Sequence, residues 1–407
     1  MERLTDRERA AISLVDQAGM LARTERWCAI NSATSNLPGL ALLAADLADH
    51  FSALPGEVEL REPVPVTAID TLGREVEQHH GPHLVLRVRP GADRRVLLTG
   101  HMDTVFPADH PFQTALWLDE ETLNAPGAAD MKGGIAVMLE ALHAFERSGS
   151  AHALGYDVMI NSDEETGSRS SAPLIRELAR GKIAALTYEP AALPDGTLAH
   201  ARGGSGNYAL VVRGRSAHAG RNPQDGRNAL VAAADLAMRL KRLEHDGLNV
   251  NPARIDGGSA NNVVPDLAVL RLNVRPKDRG DAEEFGRKLN EMAANVAAEH
   301  EVSIRPHGGI TRPPKSVDRG AQGLFDLVCR SGVDLGQHFG WRDTGGVCDG
   351  NNIAAFGVPV VDTMGVRGGA IHSPEEYLIA PSLTERARLS VLVLHRLASG
   401  DASGVQA

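Results

Sequence analysis

Apolar positions in the first half of the chain fall into short continuous runs separated by stretches with helical spacing. Val96-Leu97-Leu98-Thr99, ending at Gly100, has the pattern of a strand buried on both faces. Ile135, Met138, Leu139, Leu142 and Phe145 share one helical face, which predicts a helix over 135–146. Val158-Met159-Ile160 predicts the next strand, and 173–180 a short helix opened by Pro173. A third strand is predicted over 183–188, stopped by Pro190. Strands alternating with helices predict an α/β domain, a sheet covered by helices.

After Pro194-Asp195-Gly196 the pattern changes. A strand at 208–212 and a helix at 228–243 precede a short strand at 254–255 and a cleanly alternating one at 267–274. A helix at 281–301 and a strand at 302–304 follow. The order β-α-β-β-α-β predicts a ferredoxin-like α+β domain. Pro313-Pro314 marks its exit, and the Gly/Pro-rich stretch 336–369 returns to residues that carry chemistry. The expected organisation is a discontinuous domain, 1–200 and 313–407, interrupted by an inserted domain at 201–312.

At 407 residues the chain exceeds one ordinary core, in keeping with two domains. A net charge of −10 argues against nucleic acid or an anionic membrane as partner. The N-terminal stretch MERLTDRERAAISLVDQ is charged throughout, without the apolar core of a secretion signal, and no run of about 18 apolar residues would span a bilayer. A cytoplasmic location is therefore the expectation. Cys28, Cys329 and Cys348 are widely spaced and form no CxxC, so a disulfide framework or an all-cysteine zinc site has no support. A metal would have to be held by histidine and carboxylates.

Such residues gather at strand ends. His101 and Asp103 follow the strand at 96–99, Glu164 and Glu165 follow 158–160, and Glu189 closes 183–188, while Asp130 lies in a turn ahead of helix 135–146. In open α/β sheets ligands bind beyond the carboxyl ends of strands. Acidic groups crowded there repel one another unless a cation sits among them. Imidazole and carboxylate without thiolate favour zinc, with cobalt or manganese as substitutes. Each motif also has a bland reading. His-Met-Asp is an ordinary turn, Asp163-Glu164-Glu165-Thr166-Gly167 a solvated loop, Glu189 a strand end, and His372-Ser373-Pro374-Glu375 a helix N-cap. Their joint occurrence, in order, argues against all four.

The segments Gly100-His101-Met102-Asp103-Thr104-Val105, Ala129-Asp130-Met131-Lys132-Gly133-Gly134, Asp163-Glu164-Glu165-Thr166-Gly167, Tyr188-Glu189-Pro190 and Ile371-His372-Ser373 resemble the M20 metallopeptidases, and most of all their glutamate carboxypeptidases. The resemblance implies a zinc-peptidase-like catalytic domain with a mixed central sheet, and an inserted domain serving as lid and dimerisation module. It implies two zinc ions bridged by Asp130, one completed by His101 and Glu189, the other by Glu165 and His372. Glu164 is the implied general base, and Asp103, two residues from His101, would accept the imidazole's second N–H. His218, in Ser216-Ala217-His218-Ala219-Gly220, is the implied oxyanion donor, reaching the site of a partner subunit in a homodimer. Asn262 and Arg312 match positions that hold a substrate's free carboxylate. The glycine-rich loops 345–351 and 365–369 look like those around the bound amino acid, with Cys348 where many relatives carry Ser or Thr. Lys132 is expected in a local ion pair.

The implied activity is hydrolysis of an amide bond to release a C-terminal amino acid, glutamate, from a small peptide or N-acyl substrate. Removal of an acyl group from an amino acid, or dipeptide cleavage, would use the same metals with a different pocket. A metal-stabilised binding module would need neither Glu164 nor Asp103, and both are present.

Overall fold

The computed structural model describes residues 4–400, so the segments expected to form the discontinuous domain are seen from Leu4 and up to Gly400. Of the charged N-terminal stretch, residues 1–3 lie outside the described residues; beyond them Thr5 and Glu8 form a capping box on helix Asp6–Ile12.

The larger unit is built on six strands: β1 (Glu57–Arg61), β2 (His83–Val88), β3 (Arg95–His101), β4 (Gly155–Asn161), β5 (Ala184–Thr187) and, late in the chain, β10 (Val360–Val361). They lie in the order β1-β2-β4-β3-β5-β10. β4, β3, β5 and β10 run parallel, and β1 and β2 are antiparallel at one edge. Alternate residues of the parallel strands enter different cores. Val96, Leu98, Val158, Ile160 and Leu186 join the core beneath helix Gly133–Glu146, whereas Leu97, Met159 and Ala185 pack against Ile175, Leu178 and Ile353 on the other face. Both faces being covered explains why these strands read as unbroken apolar runs.

Helix Gly133–Glu146 was expected to bury one face; apart from His143 and Glu146 it is buried all round. The sheet lies on one side of it and helices Gln17–Cys28 and Pro381–Ser399 on the other, layers that its own periodicity could not report.

The second unit contains β6 (Ser205–Arg213), β7 (Leu248–Gly257), β8 (Leu267–Pro276) and β9 (Ser303–Arg312), an antiparallel sheet in the order β7-β8-β6-β9. Helices Ala229–Lys241 and Arg279–Glu299 cover one face and close a separate core around Leu210, Leu236, Leu270, Phe285 and Val296. β7 and β9 are edge strands and run well beyond the residues expected at 254–255 and 302–304. Exposed Asn249, Asn251 and Arg254, and Pro306 to Gly309, interrupt the apolar pattern there. The other face is strapped by a hairpin from the first unit, Val66–Ile69 and Glu75–Gln78. Ile69 packs on Val211 and Val269, and Arg271 donates to the carbonyls of Ile69 (2.8 Å) and Asp70 (3.0 Å).

A small sheet of Leu116–Trp117, Thr122–Asn124, Gly368–Gly369 and Tyr377–Ile379 carries the segment around His372. Residues 372–375 form a turn between its last two strands, so no helix follows Ser373. Among the described residues, no helix is long and apolar enough to cross a membrane.

Candidate metal centre

The carboxyl ends of β3, β4, β5 and β10 point to one edge of the sheet, and the chain places its acidic groups there. His101 is the last residue of β3 and buried. Its Nδ1–H donates to the carbonyl oxygen of Asp103 at 3.0 Å. A carbonyl can only accept, so Nδ1 carries a proton and turns Nε2, the nitrogen a metal would take, toward Asp130 Oδ1 at 3.0 Å and Glu189 Oε2 at 3.7 Å. The expected partner for Nδ1, the Asp103 carboxylate, stands farther off, at 3.5 Å. That carboxylate instead accepts from Thr34 Oγ1 (2.7 Å) and from the backbone N–H groups of Glu164 and Glu165, both 3.2 Å, and so anchors the turn presenting the two glutamates.

Asp130 lies between two histidines. Its Oδ1 faces His101, and its Oδ2 lies 3.3 Å from His372 Nε2, which is also 3.2 Å from Glu165 Oε2. Nitrogen and oxygen ligands about 2.1 Å from a tetrahedral ion stand roughly 3.4 Å apart, the spacing these pairs bracket. His101, Asp130 and Glu165, and likewise His101, Glu164 and Glu189, offer ligand atoms within 4.8 Å of one another. His372 holds its place at φ 63°, a strained conformation for a residue with a side chain.

The electrostatics also call for cations. Burial raises the carboxyls of Glu164 and Glu189 to about 8 and that of Glu165 to about 7. Burial pushes Asp130 up as well, but hydrogen bonds from His101 and His372 outweigh it and leave Asp130 below its ordinary value. Hydrogen bonds to Asp130 and Glu165 lift His372 to about 11. The cluster thus draws protons onto its imidazoles, the places where bound metal would leave them neutral ligands. The donor set fits two divalent ions.

Two contributors were not foreseen. Glu376 is buried, and its carboxylate accepts the backbone N–H groups of Gly127, Ala129 and Asp130, each at 3.0 Å, cradling the turn that carries Asp130. The only sequence signal was one more carboxylate four residues past His372. Arg275, on β8, lines the cavity beside the acidic cluster and, among the described residues, has no carboxylate within 4.0 Å; its Nε donates to Asn273. It lay one position beyond the alternating stretch on which the strand was recognised.

That cavity, of about 610 Å³, is walled on one side by Asp130, Glu164, Glu165, Glu189 and His372 and on the other by Asn207, Asn273 and Arg275 of the inserted unit. Arg312, expected to hold a substrate carboxylate, lines this cavity too, but its guanidinium is taken up by internal partners. It is buried and donates to Glu164 Oε1 (2.6 Å), Asp349 Oδ1 (2.7 Å) and Ser168 Oγ (2.9 Å). Its charge is spent on internal acids. Arg202 is likewise committed, gripping both oxygens of Asp362 and the carbonyl of Gly346. Gly346, Val347 and Cys348 line the cavity, but 365–369 do not; Gly365 packs behind Glu189, where a Cβ would meet the Tyr188 carbonyl at 2.2 Å. The Cys348 thiol is buried, pushed well up by that burial, and belongs to none of the metal-ligand clusters found among the described residues. Lys132 forms no ion pair among the described residues; it is buried and donates to the Ile30 carbonyl at 2.9 Å.

His218 and Asn262 stand side by side, Ala219 N–H donating to the Asn262 carbonyl, but both are exposed and neither lines the cavity of its own chain. The backbone N–H groups of Gly220 and Arg221 donate to His218 Nδ1, so the free proton is on Nε2.

An acidic metal-ready cluster at the ends of parallel strands, beneath an inserted lid-like unit, defines a metallohydrolase. Residues 97–396 match the sequence profile of peptidase family M20/M25/M40, and the chain belongs to that family. It is 29% identical to carboxypeptidase G2 of a Pseudomonas species over 79% of this chain and 78% of that one. It is 28% identical to a succinyl-diaminopimelate desuccinylase of a Psychrobacter species, covering 77% and 81%. The fold is similar to that of a Staphylococcus aureus tripeptidase, with a TM-score of 0.73 at 22% identity, covering 95% of this chain and 100% of that one.

Proposed function

We propose that the protein is a two-zinc amidohydrolase that releases a C-terminal glutamate from a small peptide or N-acyl substrate. The observation that carries the reading is Asp130, whose two oxygens face His101 and His372 on opposite sides, the arrangement of a bridging carboxylate. His101 and Glu189 would hold one ion, Glu165 and His372 the other. Two such ions would supply Lewis acidity, lowering the pKa of a bound water and polarising the scissile carbonyl.

The remaining work falls to the chain. Glu164, fixed by Arg312, takes the water's proton and delivers it to the leaving nitrogen. Asp103 keeps Glu164 and Glu165 in register through their backbone N–H groups. Arg275, the cavity's guanidinium without an internal acid, receives a free carboxylate of the substrate, with Asn207 and Asn273 beside it. His218 Nε2–H donates to the substrate carbonyl of the neighbouring subunit in a homodimer, with Asn262 alongside; the exposure of both residues supports this.

The test is a substrate panel with added zinc: N-acyl-glutamates, folate-like conjugates, dipeptides and acetyl-ornithine. Glutamate conjugates should be turned over best. Preference for acetyl- or succinyl-amino acids would assign the chain to the deacylases. A fully metal-loaded protein inert on the whole panel would point to a binding module.

A further inference from the structure

Among the described residues, the buried arginines are paired with acids, with one exception. Arg202 holds Asp362, Arg312 holds Glu164 and Asp349, and Arg396 holds Glu8 and Asp334. Arg386, in the same helix as Arg396, is 1% exposed and has no carboxylate within 4.0 Å among the described residues. Its Nη2 donates to the Gly196 carbonyl at 2.8 Å, the Phe339 ring lies 5.1 Å from its Cζ, and its Nη1 has no hydrogen-bond partner among the described residues. The adjacent Glu385 is not its counter-ion, because Arg367 holds that carboxylate through Nε at 3.0 Å and Nη2 at 3.2 Å. A buried charge without a partner is costly, and chains do not keep one idle.

Arg386 forms part of the wall of a cavity of about 540 Å³, a volume suited to a small ligand. Arg367 and Arg388 contribute to the same wall, against two carboxylates, Asp195 and Glu385, and none of the lining residues is shared with the cavity at the metal centre. The cavity lies at the N-terminal end of helix Pro381–Ser399. That helix is 19 residues long, with no acidic residue in its first turn and no side-chain cap from Ala380. The positive end of its dipole is thus unneutralised where the unpaired guanidinium lies. Burial pulls the guanidinium down to about 10, a destabilised charge that Glu385 and Asp195 only partly support.

We propose that this cavity binds a small oxyanion, whose charge is met by Arg386 and by the positive end of helix Pro381–Ser399. A guanidinium fork accepts phosphate and carboxylate by the same paired hydrogen bonds, so both are candidate sources.

The experiment titrates metal-loaded protein with inorganic phosphate and, separately, with succinate at constant ionic strength, by calorimetry and thermal melting. Native protein, Arg386→Met and Thr384→Glu are compared. Thr384 lines the cavity, so the new carboxylate supplies the missing counter-charge from within and serves if Arg386→Met fails to fold. In the native protein one anion should bind saturably and raise the melting temperature. Both variants should lose that binding event by about tenfold or more. Thr384→Glu should also melt higher than native protein without added anion. Tighter binding of phosphate, or of succinate, identifies the source. Anion affinity unchanged in the variants, or no binding of either anion to native protein at millimolar concentration, overturns the proposal.

Discussion

Replacing Arg312 with methionine keeps the length of the side chain and removes the cation that joins Glu164 to Asp349. Arg312 is 2% exposed and bonds Glu164 Oε1 at 2.6 Å and Asp349 Oδ1 at 2.7 Å, so the substitution strands two buried carboxylates. Breaking a buried ion pair from one side costs about 3–5 kcal/mol. Asp349 keeps hydrogen bonds from Asn161 (2.7 Å) and Ser168, which places the expected loss toward the lower end of that range. Glu164 loses its support as well. General-base catalysis is worth about 10²–10⁴ in rate, and a displaced base should forfeit a large part of it. Urea unfolding followed through buried Trp27 measures the stability, and initial rates of glutamate release measure kcat and KM. The expected result is a fall in kcat of about 10²-fold with KM nearly unchanged. Adding Glu164→Gln removes one stranded charge, so the double variant should recover roughly 1–3 kcal/mol relative to Arg312→Met. A large rise in KM at intact kcat, with strictly additive stabilities, would refute this reasoning and return Arg312 to the substrate carboxylate.

Asp130→Ala should lose both metal ions, because the one side chain faces both histidines; metal analysis finding two ions retained removes the bridging assignment. Glu376→Gln should weaken metal binding by about 10–100-fold without touching a ligand, since its carboxylate holds the Asp130 turn; unchanged affinity in a metal titration would make it a filler. His218→Ala should retain its metals and lose about 10²–10³ in turnover. Mixing it with Glu164→Ala should restore activity through heterodimers carrying one intact site. If subunits exchange and activity does not return, His218 acts within its own chain or only holds up its turn.

The sequence by itself determined three of the sheet's six strands, the helix at 135–146 and where the acidic groups fall along them; β1, β2, β10 and helix Pro381–Ser399 were not among its readings. Val96 to Thr99, 158–160 and 183–188 are legible because strands covered on both faces are continuous apolar runs, and His101, Glu164, Glu165 and Glu189 are legible because they stand where those runs stop. The β-α-β-β-α-β order of the inserted unit was equally plain, while its edge strands β7 and β9 were read short because one side of an edge strand faces water and keeps no apolar period. What faces what was decided only by the tertiary structure. Arg312 reads as a free cation until packing sets it between Glu164 and Asp349, Lys132 as half of an ion pair until it reaches the Ile30 carbonyl, and Glu376 as a surface acid until it cradles the Asp130 turn. Arg386 shows the same limit from the other side, since nothing local distinguishes it from Arg396, which found its acids. Periodicity records whether a position is buried; the partner of a buried charge comes from segments far along the chain, and only their packing brings the two together.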